Sequence, residues 1–168
     1  MRLLLVRHAI AEDRIAWAAQ GHDDLERPVS AAGRKRMRRI AETLAWLEPE
    51  IDVLLSSPAK RCVESAQILL ASLPGEPRFQ TLPELAPDGS PAAVLQRLKA
   101  HRQANAVAMV GHEPNLSRLA AFLLAGDERS FVEMKKGAGA LLDFPVRVAA
   151  GAAVLRWLVP PALSRHIE

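Results

Sequence analysis

Residues 2–9 read Arg2-Leu3-Leu4-Leu5-Val6-Arg7-His8-Ala9. Four apolar residues in a row do not alternate, as a strand with one wet face would. The run is also too short for a buried helix. It predicts a strand over 2–7 that is covered on both faces, which is the habit of parallel sheets flanked by helices. The run ends in Arg7 and His8, so charge stands where the strand emerges. In open α/β sheets, ligands bind beyond the carboxyl ends of the strands.

The same pattern returns twice. Ile51 to Ser56 predicts a second strand, followed by Ser57-Pro58-Ala59-Lys60-Arg61. Ala106 to Val110 predicts another, followed by Gly111-His112-Glu113-Pro114. Helical periodicity fills the gaps. Met37, Ile40, Ala41, Leu44 and Leu47 share one face of a helix that Ser30 can cap and Pro49 ends. Ser57 and Pro58 suit the N-cap and first position of a helix to about Leu73. Pro91 to about Arg102 is a further helix with Val94, Leu95 and Leu98 inward, and Asn115 can cap one running to Ala125. Phe79 to Leu82, Ala138–Phe144 and Ala153–Val159 are further strands. Residues 9–29 are a long polar loop with a helical turn near Trp17, residues 83–90 a loop, and Pro160 to Glu168 a surface tail. Strands alternating with helices predict a three-layer α/β/α domain around a mostly parallel, mixed sheet.

Composition sets the limits. The chain has 168 residues, 49% hydrophobic and 24% charged, with 22 Lys+Arg against 19 Asp+Glu. This suits one folded domain over 1–168 and excludes disorder and coiled coil. No apolar run approaches the ~20 residues of a membrane span, and four residues do not make the core of a signal peptide. Cys62 is the single cysteine, so no internal disulfide forms and a reducing cytoplasm is the expected compartment. Arg34, Lys35, Arg36, Arg38 and Arg39 outweigh Glu42 and Glu48 by +3, which is the whole formal excess. A solvated helix face explains that run. With 4% aromatic residues and no Tyr, base-stacking surfaces are not expected, so nucleic acid is not a favoured partner.

If the three strands are parallel neighbours, two histidines and two arginines meet in one crevice. Guanidinium forks clamp phosphoryl oxygens bidentately. A neutral imidazole can attack phosphorus, while a second donates to a phosphoryl oxygen. Backbone N–H groups near Ser57 and Asn115 would add to the anion site. Spacing does not itself place His8 beside His112.

Leu5-Val6-Arg7-His8-Ala9 resembles the Arg-His-Gly signature of the histidine phosphatase superfamily, the phosphoglycerate-mutase-like enzymes. Leu55-Ser56-Ser57-Pro58 with Lys60-Arg61-Cys62 and Ser65-Ala66 resembles its second motif, and Val110-Gly111-His112 its second histidine motif. All three stand in family order. Arg27-Pro28-Val29-Ser30 before Gly33, Leu82-Pro83-Glu84-Leu85 with Pro87 and Gly89, and the short chain resemble the phosphohistidine phosphatases of the SixA type.

The resemblance implies a nucleophile at His8, phosphoryl-binding arginines at Arg7 and Arg61, and His112 completing an electropositive pocket. It implies no metal and no cofactor. Arginine charge is expected to keep His8 neutral. Ala9 stands where the family has Gly, which is harmless unless φ is positive there. Glu84 is the candidate general acid, with a surface carboxylate as the alternative. Ser57 and Asn115 are candidate phosphate contacts as well as caps. The implied partner is a phosphorylated protein such as a histidine-containing phosphotransfer domain, or else a small phosphorylated substrate. The implied activity is hydrolysis of protein phosphohistidine, with a broad small-molecule phosphomonoesterase and a non-catalytic polyanion-binding module as alternatives.

The remaining candidates carry bland readings. His22-Asp23-Asp24 is read as a solvated run rather than a metal cluster. His101 stands near a helix end and His166 in the tail. Cys62, Trp17 and Trp46 are read as packing residues, with no Cys–His pair around Cys62.

Overall fold

A computed structural model describes residues 1–48 and 50–165. The expected stop at Pro49 and the tail residue His166 lie outside them. The strands are β1 (Arg2–Arg7), β2 (Val53–Ser56), β3 (Arg78–Thr81), β4 (Ala106–Gly111), β5 (Gly139–Asp143) and β6 (Val154–Val159). The helices are α1 (Arg14–Ala19), α2 (Ala31–Leu47), α3 (Lys60–Leu70), α4 (Pro91–Ala100) and α5 (Asn115–Ala125).

The sheet order is β3-β2-β4-β1-β5-β6. The first four strands are parallel, and β5 and β6 run against them. The sheet is mixed and mostly parallel, as its apolar runs predict. Leu3, Leu5, Val107 and Met109 face one core layer, closed by residues of α4 and α5. Leu4, Val6, Ala108 and Val110 face the other, closed by α2 and α3. Leu3 to Val6 are fully buried. Each such Leu removes apolar surface worth roughly 1.5–3 kcal/mol from water.

Ser30 caps α2 by accepting from the Gly33 N–H. Gly33 meets a close approach: a Cβ there would lie 2.0 Å from the Ile10 carbonyl oxygen. The start of α2 is thereby locked under the loop that leaves His8.

Four expectations are corrected. Helix α3 starts at Lys60 with Ala59 in the cap position and no side-chain cap, because the Ser57 hydroxyl is engaged elsewhere. Pro114, not Asn115, stands at the cap of α5. Trp46 is 70% exposed, since it follows the buried stripe of α2 by one residue and turns outward. The tail is not wholly on the surface: Pro161 is buried and lies near Gly137, ahead of a turn at Leu163–Arg165. No helix among the described residues is long and apolar enough to cross a membrane.

Candidate active site

Register brings the strand ends together. Arg7 stands opposite Gly111, and Ser56 opposite Val110. The ladder runs one step further. The His8 N–H donates to the Gly111 carbonyl at 3.1 Å, and the Ser57 N–H to the Val110 carbonyl at 2.9 Å. His8 and His112 therefore meet, edge to face, with ring centroids 5.1 Å apart.

His8 Nδ1 lies 2.7 Å from the Ala9 carbonyl oxygen. A carbonyl only accepts, so the ring proton is on Nδ1 and the Nε2 lone pair is free. The Ala9 N–H in turn donates to Ser65 Oγ at 2.9 Å, and Ser65 donates to the Arg61 carbonyl at 2.6 Å. One buried hydroxyl ties Ala9, whose carbonyl orients His8, to the residue that carries the second guanidinium. No non-glycine residue among those described has positive φ, so Ala9 is unstrained.

Burial pushes His8 down to about 3, against the pull of the Ala9 carbonyl and with help from His112, Arg61 and Arg7. Burial likewise takes His112 to about 4, with Arg61 adding to it. Arginine charge was the expected cause; desolvation is the larger one. His112 is thus neutral at rest. Arg61 can only donate, and it lies 3.5 Å from His112 Nδ1. Nε2 then carries the proton and donates to Ser57 Oγ at 2.8 Å.

These values have a consequence for stability. The unfolded chain takes up protons below the ordinary value of 6.5, while the folded histidines do not until about 4 and about 3. Falling pH therefore favours unfolding. Each histidine removes up to ~1.4 kcal/mol per pH unit within that window. Thermal melts between pH 7 and pH 4.5 should show a falling Tm, with a shallower fall in His8→Asn and in His112→Asn. Equal slopes in all three proteins would contradict the assignment.

Arg7 donates to the Met134 carbonyl at 2.7 Å. Arg61 is held by Asp24, through the backbone oxygen at 2.6 Å and the carboxylate at 3.0 Å. Both Nε atoms are buried without a partner. Two guanidiniums thus present unspent donors beside two imidazoles. The set can bind a tetrahedral dianion and direct a nitrogen lone pair at it.

Residues 3–86 match the profile of the histidine phosphatase superfamily (branch 1). The chain belongs to this superfamily. An uncharacterized protein of Picosynechococcus sp. (PCC 7002) is 34% identical over 139 residues, 81% of each chain. The solved structure of the protein histidine phosphatase SixA complexed with tungstate is similar at TM-score 0.82 and 24% identity, covering 96% of this chain and 98% of that one. The alpha-ribazole phosphatase of Shigella flexneri follows the same fold at TM-score 0.73 and 18% identity, covering 96% and 97%. As a superfamily member with this fold, the protein is a phosphatase, a hydrolase of phosphoryl groups.

Other expected residues of this histidine phosphatase take different places. Glu84 Oε1 accepts from Arg97 Nε at 2.6 Å, and that bond holds its carboxyl below the ordinary range. A carboxylate held ionised is a poor general acid, so the proton-donor expectation is corrected. Asn115 spends its amide N–H groups on the Ala86 and Gly89 carbonyls at 2.8 and 3.1 Å. It fastens the 83–90 loop rather than facing phosphate. Ser57 supports His112. Cys62 Sγ does lie 3.4 Å from His112 Nε2, but burial pushes its thiol up to about 12, so it packs and does not react. Trp17, half-buried on α1, donates to the Asp23 carbonyl and packs tilted against His22 with ring centroids 4.5 Å apart.

Asp24 was hidden in a polar run. Burial would raise its carboxyl, but Arg27, Arg61 and Arg14 outweigh that and hold it low. Arg61 was expected to bind a phosphoryl group, yet nothing in the sequence names the carboxylate that pairs with it. Asp24 competes with any anion for Arg61. It is 37% exposed, so the ion pair is worth ~0.2–1 kcal/mol. Asp24→Asn should tighten inhibition by inorganic phosphate about two- to fivefold. Weaker inhibition would show that Asp24 organises Arg61 instead of competing for it.

Proposed function

We propose that this phosphatase works through a phosphohistidine at His8 and that its substrate is phosphohistidine in a protein. The free lone pair on His8 Nε2, in a ring that feels the charge of two guanidiniums with unspent donors, supports the first part. Arg7 and Arg61 bind the phosphoryl oxygens, and His112 supplies a further hydrogen-bond donor. Two arginines carry the positive charge that Mg²⁺ supplies in many phosphoryl-transfer sites, so the reaction requires no metal. The phosphoryl group moves in line to Nε2, and water then attacks phosphorus and frees His8.

The observation that carries the substrate class is the likeness to the SixA structure, which shares this fold at TM-score 0.82 and is described as a protein histidine phosphatase.

The test compares phosphate release from a histidine-phosphorylated phosphotransfer domain and from an aryl phosphate, with His8→Ala as control. Preference for the phosphoprotein, lost in the variant, is the expected result. Better turnover of the aryl phosphate would transfer the activity to small phosphoesters. Turnover of neither would favour phosphate binding without chemistry.

A further inference from the structure

A half-buried acidic residue next to His112 takes no part in this mechanism. Glu113 follows His112 in the loop between β4 and α5. Its Oε1 is buried and has no partner. Its Oε2 lies 2.6 Å from Ser117 Oγ, and the same hydroxyl lies 2.9 Å from the Pro114 carbonyl oxygen. Ser117 has one proton and two acceptors to serve. A neutral carboxyl resolves the conflict: it donates to Ser117, which then donates to Pro114. Burial acts in the same direction and raises the Glu113 carboxyl above the ordinary range, opposed by Ser117, Arg7 and the Met134 amide. Arg7 and Met134 are also the pair that border the crevice, since the Met134 carbonyl holds the Arg7 guanidinium. Glu84, by contrast, is pinned and ionised by Arg97.

We propose that Glu113 protonates the leaving group, in the role that Glu84 cannot fill. The inference rests on the phosphoenzyme part of the proposed function and not on its protein substrate. In the first step, the His8 Nε2 lone pair forms the N–P bond. The bond from phosphorus to the leaving oxygen or nitrogen breaks, and its electron pair takes the carboxyl proton, which a half-turn of the Glu113 carboxyl brings from Ser117 to the crevice. Ser117 turns its own proton from Pro114 to the carboxylate oxygen then facing it and stabilises the charge so formed. In the second step, that carboxylate takes a proton from water as the water oxygen attacks phosphorus. The P–N bond breaks and returns its pair to His8. Glu113 ends protonated and inorganic phosphate leaves.

A general acid matters in proportion to how poor the leaving group is, and contributes ~10²–10⁴-fold where it is needed. The experiment measures kcat/KM for a series of aryl phosphates with leaving phenols of graded acidity, in wild type, Glu113→Gln and Glu84→Gln. The wild type should depend weakly on the leaving group. Glu113→Gln should lose about 10²-fold on phenyl phosphate and under about threefold on 4-nitrophenyl phosphate. Glu84→Gln should keep the wild-type slope. An equal loss across the series would make Glu113 a structural residue and overturn the proposal. So would no loss at all, or a steep slope in Glu84→Gln instead. His8→Ala, run beside them, separates the failures: turnover that survives it contradicts the phosphoenzyme and leaves the slope of Glu113→Gln to be judged independently.

Discussion

His8→Ala should lower turnover by about 10⁴-fold or more on every substrate, while leaving the protein folded. Loss of a nucleophile removes the first bond-forming step, and neither of the nearest nucleophilic groups can replace it. His112 is the nearest imidazole, but its Nε2 carries a proton donated to Ser57 and its Nδ1 faces Arg61. Cys62 is held as a thiol by burial. The fold should tolerate the change, because His8 is a buried polar group whose side chain makes one hydrogen bond, to its neighbour's carbonyl. Removing it also removes a histidine that resists protonation, so the variant should be less sensitive to acid than the wild type. Rates of phosphate release and far-UV circular dichroism check both parts. A variant with substantial residual turnover would require another nucleophile or direct attack by water.

Arg61→Lys should lower kcat/KM by about 10²–10³-fold, the range seen when one preorganised donor to a developing oxyanion is lost. Charge is kept, but the planar fork is not. Arg61 sits in the first turn of α3, with its side chain 5% exposed and Asp24 on two of its nitrogens. Its Nε is the donor left over for a phosphoryl oxygen. A lysine offers one point charge, which Asp24 can occupy entirely. KM for a phosphorylated substrate should rise and kcat should fall together, since the clamp serves both bound and transition states. A near-normal rate in Arg61→Lys would mean that Arg7 alone holds the phosphoryl group.

The sheet was legible because its evidence is local. Leu3 to Val6 and Ala106 to Val110 are unbroken apolar runs, and burial on both faces follows from that alone. The meeting of Arg7, His8, Arg61 and His112 was legible only on the premise that β1, β2 and β4 are parallel neighbours. What escaped the reading depends on contacts between distant segments. Asp24 looks like any loop carboxylate until the loop folds back over α3. Glu84 looks like an acid beside a site until α4 brings Arg97 against it. Ser57 and Asn115 have the residue types of helix caps, but His112 claims one and the 83–90 loop the other. Trp46 differs from its buried neighbour Ala45 by one step of 100° around α2, a margin that periodicity does not resolve.

The stereochemical course at phosphorus reports whether the phosphoryl group passes through His8. A phosphorothioate ester made chiral at phosphorus with two oxygen isotopes is hydrolysed in water carrying the third, and the configuration of the released thiophosphate is read. Transfer first to His8 and then to water makes two in-line displacements, so net retention is the expected result. Net inversion would show a single direct attack by water and would contradict a phosphohistidine at His8.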